Sequence, residues 1–336
     1  MALVSLGDMA QSFLLRSHNA RLKGDLLRQS QELSTGRVQD VGHRVGGDFS
    51  QLAGLERSLA RIDAFNLAAR EATVLTEAMQ SALGAISDQA TSLAPDLMTA
   101  AQAGQPSHVD AIGAEARSRF ETTLSRLNTR VGDRSLFAGT TTNAPAVADG
   151  ATIMAALVTA IGAAGATTAD DVAQAVSDWF DDPAGFETIG YLGSNQSLSP
   201  LTIGEGVRVS IGARADDKDL RGTLKALATA AVLDEGVLPG DTAARAALAS
   251  RAGEDLLSAQ GDWSALQARL GVAQERVASA QTRNTAEQFA LQMARNDLLS
   301  IDPFETATEL QTTQMQLETL YSITARLTRL SLTDYL

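Results

Sequence analysis

Apolar residues recur every seven positions along two long stretches of the chain. Reading from Ala249, the series runs Ala249, Leu256, Trp263, Leu270, Val277, Asn284, Leu291 and Leu298. A companion series three residues on runs Ala252, Ala259, Leu266, Ala273, Ala280, Glu287, Ala294 and Ile301. Two interleaved series of this period predict one long helix packed in a coiled coil or bundle. Asn284 and Glu287 interrupt the stripe in a single layer, where polar groups set register at some cost in stability.

The first half carries a matching seam. Phe65, Ala72, Met79, Ile86 and Leu93 fall seven apart, with Ala68, Leu75 and Ala82 between them and Leu52, Leu55, Leu59 and Ile62 before them. Pro95 predicts its end, because proline removes a helical N–H and its ring clashes with the preceding turn. The spacing predicts a further helix after Pro106-Ser107, with Asp110 completing a pattern like a capping box. Its apolar face is Ile112, Ala116, Phe120, Leu124, Leu127 and Val131, and Gly132-Asp133 marks its expected end.

Both termini also read as helices. Phe13, Ala20 and Leu27 are seven apart, and Leu33-Ser34-Thr35-Gly36 reads as a helix end with a glycine cap. Asp302-Pro303-Phe304-Glu305 places Asp at the N-cap, Pro at the first helical position and Glu at the third. Ala307, Leu310, Leu317, Leu320, Ile323, Leu327 and Leu330 then mark one face, and Tyr335 and Leu336 keep the tip apolar. The middle breaks the helical period. Ser135–Val147 and Pro200–Ala213 are rich in Thr, Val, Ile and Gly and read as strands, with Gly204-Glu205-Gly206 as turn residues. Asp170–Asp182 reads as one short helix with an acidic loop before Pro183.

Composition sharpens this layout. Hydrophobic residues make up 44% of the 336 positions and aromatics only 4%, so the apolar count leans on alanine, which suits closely packed helices. The net charge of −13 argues against nucleic acid or an anionic membrane as partner. Residues 140–260 carry seven Lys/Arg against sixteen Asp/Glu, so most of that charge sits in a solvated middle, leaving near-neutral ends for burial or assembly. With no cysteine, disulfides and thiol chemistry are excluded. The opening MALVSLGDMAQSF has no basic region or long apolar run of a Sec signal peptide. The uncharged run Gly150–Ala169 has few large aliphatics and predicts an Ala-rich surface helix with its linker rather than a membrane span.

Catalytic chemistry finds little to use. His18, His43 and His108 stand in unrelated contexts without metal-ligand spacing. Gly204-Glu205-Gly206 lacks the third glycine of a dinucleotide site, and Gly162–Thr168 lacks a phosphate-loop lysine. Asp170-Asp171 and Asp181-Asp182 read as a solvated acidic face, and the sequon Asn195-Gln196-Ser197 is of a kind common by chance. No cofactor, metal or catalytic residue is expected.

Three stretches carry a resemblance to the bacterial flagellin family: LSTGRV (Leu33–Val38), GDRSLFAGTTTNAPAV (Gly132–Val147) and LSLTDYL (Leu330–Leu336). The last two are similar to members that join hook to filament, whereas the family's acidic pair after the TG helix end has only Asp40 and Asp48 as counterparts. The resemblance implies a mainly α protein with a small β-containing middle region, its long heptad-patterned helices in an elongated bundle and its N- and C-terminal helices paired. Residues 1–40 with 303–336 would form the terminal assembly region, 41–134 with 220–302 the long-helix bundle, and 135–219 a strand-containing acidic middle with a variable insert at 148–190. It further implies a structural adaptor at the hook–filament junction, exported without a Sec signal by the flagellar type III route to lie outside the cell. Its implied partners are copies of itself in a ring, a neighbouring hook-associated protein, flagellin and an export chaperone. The implied interface is Phe13, Leu27, Leu310, Leu317, Leu320, Leu327, Leu330, Tyr335 and Leu336. A filament subunit is the alternative within the family, and a coiled-coil signalling module the alternative outside it.

Overall fold

A computed structural model describes residues 6–333 of the chain, with side chains described from residue 9 to residue 327. It is mainly helical: α1 (Leu6–Thr35), α2 (Val41–Arg44), α3 (Ser50–Ala103), α4 (Pro106–Leu127), α5 (Gly150–Ala164), α6 (Ala169–Asp181), α7 (Lys218–Ala231), α8 (Thr242–Leu299) and α9 (Pro303–Thr333). The strands are short, β1 (Arg130–Val131) with β2 (Arg134–Ser135) and β3 (Leu201–Gly204) with β4 (Val207–Val209), each an antiparallel pair. Two compact units result. One takes residues 1–62 and 286–336, the other takes 63–285, and α3 and α8 contribute to both.

In the 63–285 unit α3 and α8 run antiparallel. Gln281 Nε2 donates to Thr73 Oγ1 at 3.0 Å and Gln260 Nε2 to Thr91 Oγ1 at 3.3 Å, so numbers rise on one helix as they fall on the other. At Gly253 the backbones approach closely: a Cβ there would lie 3.0 Å from Ala94 O and 2.9 Å from Met98 Cγ. The heptad stripe of α8 is buried from Ala249 to Asn284, then loses its cover, since Glu287 and Ala294 are exposed and Leu291 only half-buried. Asn284 does more than interrupt the stripe. Its Nδ2 donates to Ile203 O at 2.9 Å, fastening the β3–β4 hairpin to α8 at a site 4% exposed.

Four local expectations are corrected. Pro95 does not end α3, which continues to Ala103. Pro95 is exposed while Leu93, Ala94 and Leu97 are fully buried, so packing on one face outweighs a lost hydrogen bond on the wet face, where water can satisfy the carbonyl freed at Thr91. Asp110 does not cap α4. The N-cap is Gln105, without a side-chain bond, and Asp110 instead pairs with Arg245 at 2.7 Å. Helix α4 stops at Leu127, and Gly132-Asp133 forms the turn of the β1–β2 hairpin, with Gly132 at φ +57°. Beyond Ser135 the apolar run is not a strand. Leu136, Phe137 and Ala138 are buried in a loop clamped by Ser194 N to Ala138 O, Ala215 N to Phe137 O and Thr140 N to Gln196 O, at 2.9, 2.9 and 3.0 Å. Gly139 in that loop has φ +59°, and a Cβ there would run into the carbonyl oxygens of Ser194 and Gln196.

Residues 148–190 are helical. Asp149 caps α5 by accepting from Thr152 N at 2.8 Å, and Thr168 with Asp171 forms a capping box on α6. Helix α5, in the uncharged run, buries Ile153, Met154, Leu157 and Ile161 and leaves its other face exposed. Trp179, Phe180 and Phe186 pack together with ring centroids 4.9 to 6.1 Å apart. Lys225 of α7 pairs with Asp181 of α6.

Candidate assembly surface

The 1–62/286–336 unit is built differently. Every residue of the main hydrophobic cluster falls between Ala69 and Ala280, so α1 and α9 contribute none. Gly36, at φ +70°, closes α1 by donating from its N–H to Glu32 O at 2.8 Å. The chain then pairs Arg37 with Ser300 in an antiparallel bridge, with Val38 N donating to Leu299 O at 3.0 Å and Ile301 N to Gly36 O at 3.3 Å. Arg44 Nε adds a bond to Leu298 O at 3.2 Å. Asp302 caps α9, its Oδ1 accepting from Phe304 N at 2.9 Å and Glu305 N at 3.1 Å. Asp40 and Asp48 also serve as caps: Asp40 accepts from His43 N at the start of α2, and Asp48 from Ser50 N at the start of α3, each at 2.9 Å.

From this clamp α1 and α9 run antiparallel. Gln29 meets Glu309, and farther along Tyr321 takes hydrogen bonds with Asn19 and Lys23, which hold its phenol below the usual tyrosine range. The inner faces are Leu15, Leu22, Leu26 and Gln29 on α1 and Thr306, Leu310, Thr313, Leu317 and Leu320 on α9. Among these apolar side chains only Leu22 and Leu317 are fully buried. So thin a seam covers little of what the two helices carry.

The predicted interface residues divide between two faces. Phe13 is 71% and Leu27 69% exposed, so the seven-residue series of α1 recognised in the sequence is its outer stripe, and the α9-facing stripe lies one helical face away. Leu317 is turned inward, with Leu310 and Leu320 half-buried beside it, while Leu327 is exposed. The side chain of Leu330, and Tyr335 and Leu336 altogether, lie outside the described residues. Several exposed apolar residues escaped the sequence reading: Met9, Leu14, Phe289, Met293, Phe304 at 84% exposure, Met315 and Tyr321. Phe289 and Met293 occupy outer heptad positions of α8, where polar residues are the rule, and that anomaly was the available signal. Single exposed apolar residues need no explanation; their number in this unit makes it the candidate interaction surface. Among the described residues no group of His, Asp or Glu could hold a metal ion, and no helix is long and apolar enough to cross a membrane.

Residues 257–336 match the family model for the bacterial flagellin C-terminal helical region. No protein of curated function matches the sequence. A solved structure from Vibrio parahaemolyticus, of a protein assigned by inference as a flagellar hook-associated protein, shares the fold with a TM-score of 0.51 at 13% identity, over 73% of this chain and 95% of that one.

Proposed function

We propose, from the match of residues 257–336 to the bacterial flagellin C-terminal helical region, that the chain is the structural adaptor at the junction of hook and filament, doing no catalysis. One observation carries the reading: the 63–285 unit holds the whole hydrophobic cluster, while α1 and α9 hold Phe13, Leu27, Phe304, Tyr321 and Leu327 out to solvent. An apolar surface of this kind is stabilised only when neighbouring chains cover it. Copies of the chain would pack these helices around a ring, with a hook-associated protein on one side and flagellin on the other. The apolar tip of Leu330, Tyr335 and Leu336 belongs to the same surface in this reading, and a chaperone would cover it before export by the type III route.

A filament subunit is the second reading, favoured by the family match itself, which is to flagellin's own C-terminal region. Gene deletion separates the two. An adaptor's loss leaves hooks without filaments and flagellin in the medium; a filament subunit's loss leaves neither filament nor spilled flagellin. Unchanged filaments refute both.

A further inference from the structure

A groove runs along the α1–α9 pair where Gln29 faces Phe304, Glu305, Thr308, Glu309, Thr312 and Thr313. Its walls are less polar than their composition suggests. Thr308 Oγ1 donates to Phe304 O and Thr312 Oγ1 to Thr308 O, both at 2.8 Å, so these hydroxyls are spent on their own helix and their methyls remain for contact. Gln29 is 6% exposed, yet its Oε1 has no hydrogen-bond partner, and its Nε2 reaches Glu309 Oε2 only at 3.4 Å. A buried acceptor left unpaired is costly. Glu305 and Glu309 stand one turn apart with like charge, and no basic side chain among the described residues pairs with either. An apolar slot edged by two carboxylates calls for a long side chain with several N–H donors and a positive charge. Arginine meets that description.

The outer stripe of α1 supplies one. Arg16 lies on the same helical face as Met9, Phe13, Ala20 and Leu27, is exposed, and has no partner among the described residues. It cannot reach its own groove. Gln29 marks the level of Glu309, and Arg16 is thirteen residues back along α1, about 20 Å at the helical rise. We infer that the groove receives Arg16 of a second copy of this chain, the guanidinium bonding Glu309 while the neighbour's Phe13 packs on Phe304. Donor stripe and acceptor groove are different surfaces of one unit, so the contact is head-to-tail and propagates from copy to copy, as a ring requires. This pairing rests on the assembly role proposed above and names which faces meet.

The test uses the full chain, concentrated until it assembles, with light scattering to read the critical concentration. Arg16→Glu and Glu309→Arg should each raise it at least tenfold with the circular dichroism melt unchanged, and the double reversal should restore it. Because the chain has no cysteine, Arg16→Cys with Glu309→Cys should yield covalently linked multimers with a short bis-maleimide cross-linker, which spans a gap too wide for a direct disulfide. If assembly proceeds with neither a charge effect nor a cross-link, the pairing is wrong while the assembly role stands. If Glu309→Arg blocks filament attachment and Arg16→Glu does not, the occupant is another protein and the pairing is again refuted. A wild-type chain that neither assembles nor attaches filaments removes both proposals.

Discussion

Replacing Phe13 and Leu27 together by serine should leave the free chain nearly as stable as before and cripple its assembly. Burying such a side chain completely contributes about 1.5–3 kcal/mol. Folding withdraws only the covered fraction from water, and these residues are 71% and 69% exposed. The free chain therefore loses under about 1 kcal/mol for each. The exposed remainder is burial available only between copies, about 1–2 kcal/mol per residue, so two residues change the critical concentration by roughly a hundredfold. Thermal melts of the free chain would be compared with light scattering of the concentrated chain, serine variant against wild type. A melt lowered as far as by a core truncation, with assembly untouched, would show that the outer stripe packs inside the folded monomer.

Leu270→Ala, at a site 5% exposed in the α8 seam, should cost about 2–5 kcal/mol in a denaturant melt, and Leu291→Ala, where the stripe is only half-buried, distinctly less. Asn284→Leu strands the carbonyl of Ile203 and should cost about 1–3 kcal/mol, with faster hydrogen exchange across β3–β4 as the specific sign. Gly139→Ala forces a side chain into left-handed backbone against two carbonyl oxygens and should be destabilising by more than about 1 kcal/mol in the same melt. The carboxyls of Asp48, Asp149 and Asp171 are held below 3.8, the first two chiefly by backbone N–H bonds from Ser50 and Thr152 and the third chiefly by the Thr168 hydroxyl. A depressed value stabilises the fold above the unfolded value and is lost as pH falls through the folded one. Stability should thus drop below about pH 4, less steeply in Asp149→Asn and Asp171→Asn. Asp217, raised by burial, acts with the opposite sign.

The long helices were legible because their period is a direct consequence of burial: Leu256, Trp263, Leu266 and Leu270 are apolar because they face a partner. Where one signal had two causes, the reading went astray. Leu136 and Phe137 are apolar because a loop buries them, which no strand is needed to explain. Pro95 is a local veto overruled by fully buried neighbours on either side. Val131 kept the period of α4 going past its end and hid the turn at Gly132. The same ambiguity divides the assembly surface. Phe13 and Leu27 were found because they share a period, but which of two stripes faces α9 depends on contacts such as Gln29 with Glu309, 280 residues apart in sequence. The groove at Gln29 was illegible for a different reason, since threonine reads as polar until its hydroxyl is seen bonded to its own helix.

The bridge between Arg37 and Ser300 also bears on the order in which the chain folds. Closing a flexible loop of about 260 residues costs roughly 5 kcal/mol of entropy, more than a two-residue bridge and a thin leucine seam return. Once residues 63–285 are compact the effective loop is short, and most of that entropy is already spent. The terminal helices should therefore close last and open first, at a rate independent of the larger unit's unfolding. Hydrogen exchange would register them as a separate cooperative step of low free energy, able to release and re-form its contacts while the rest of the molecule stays intact.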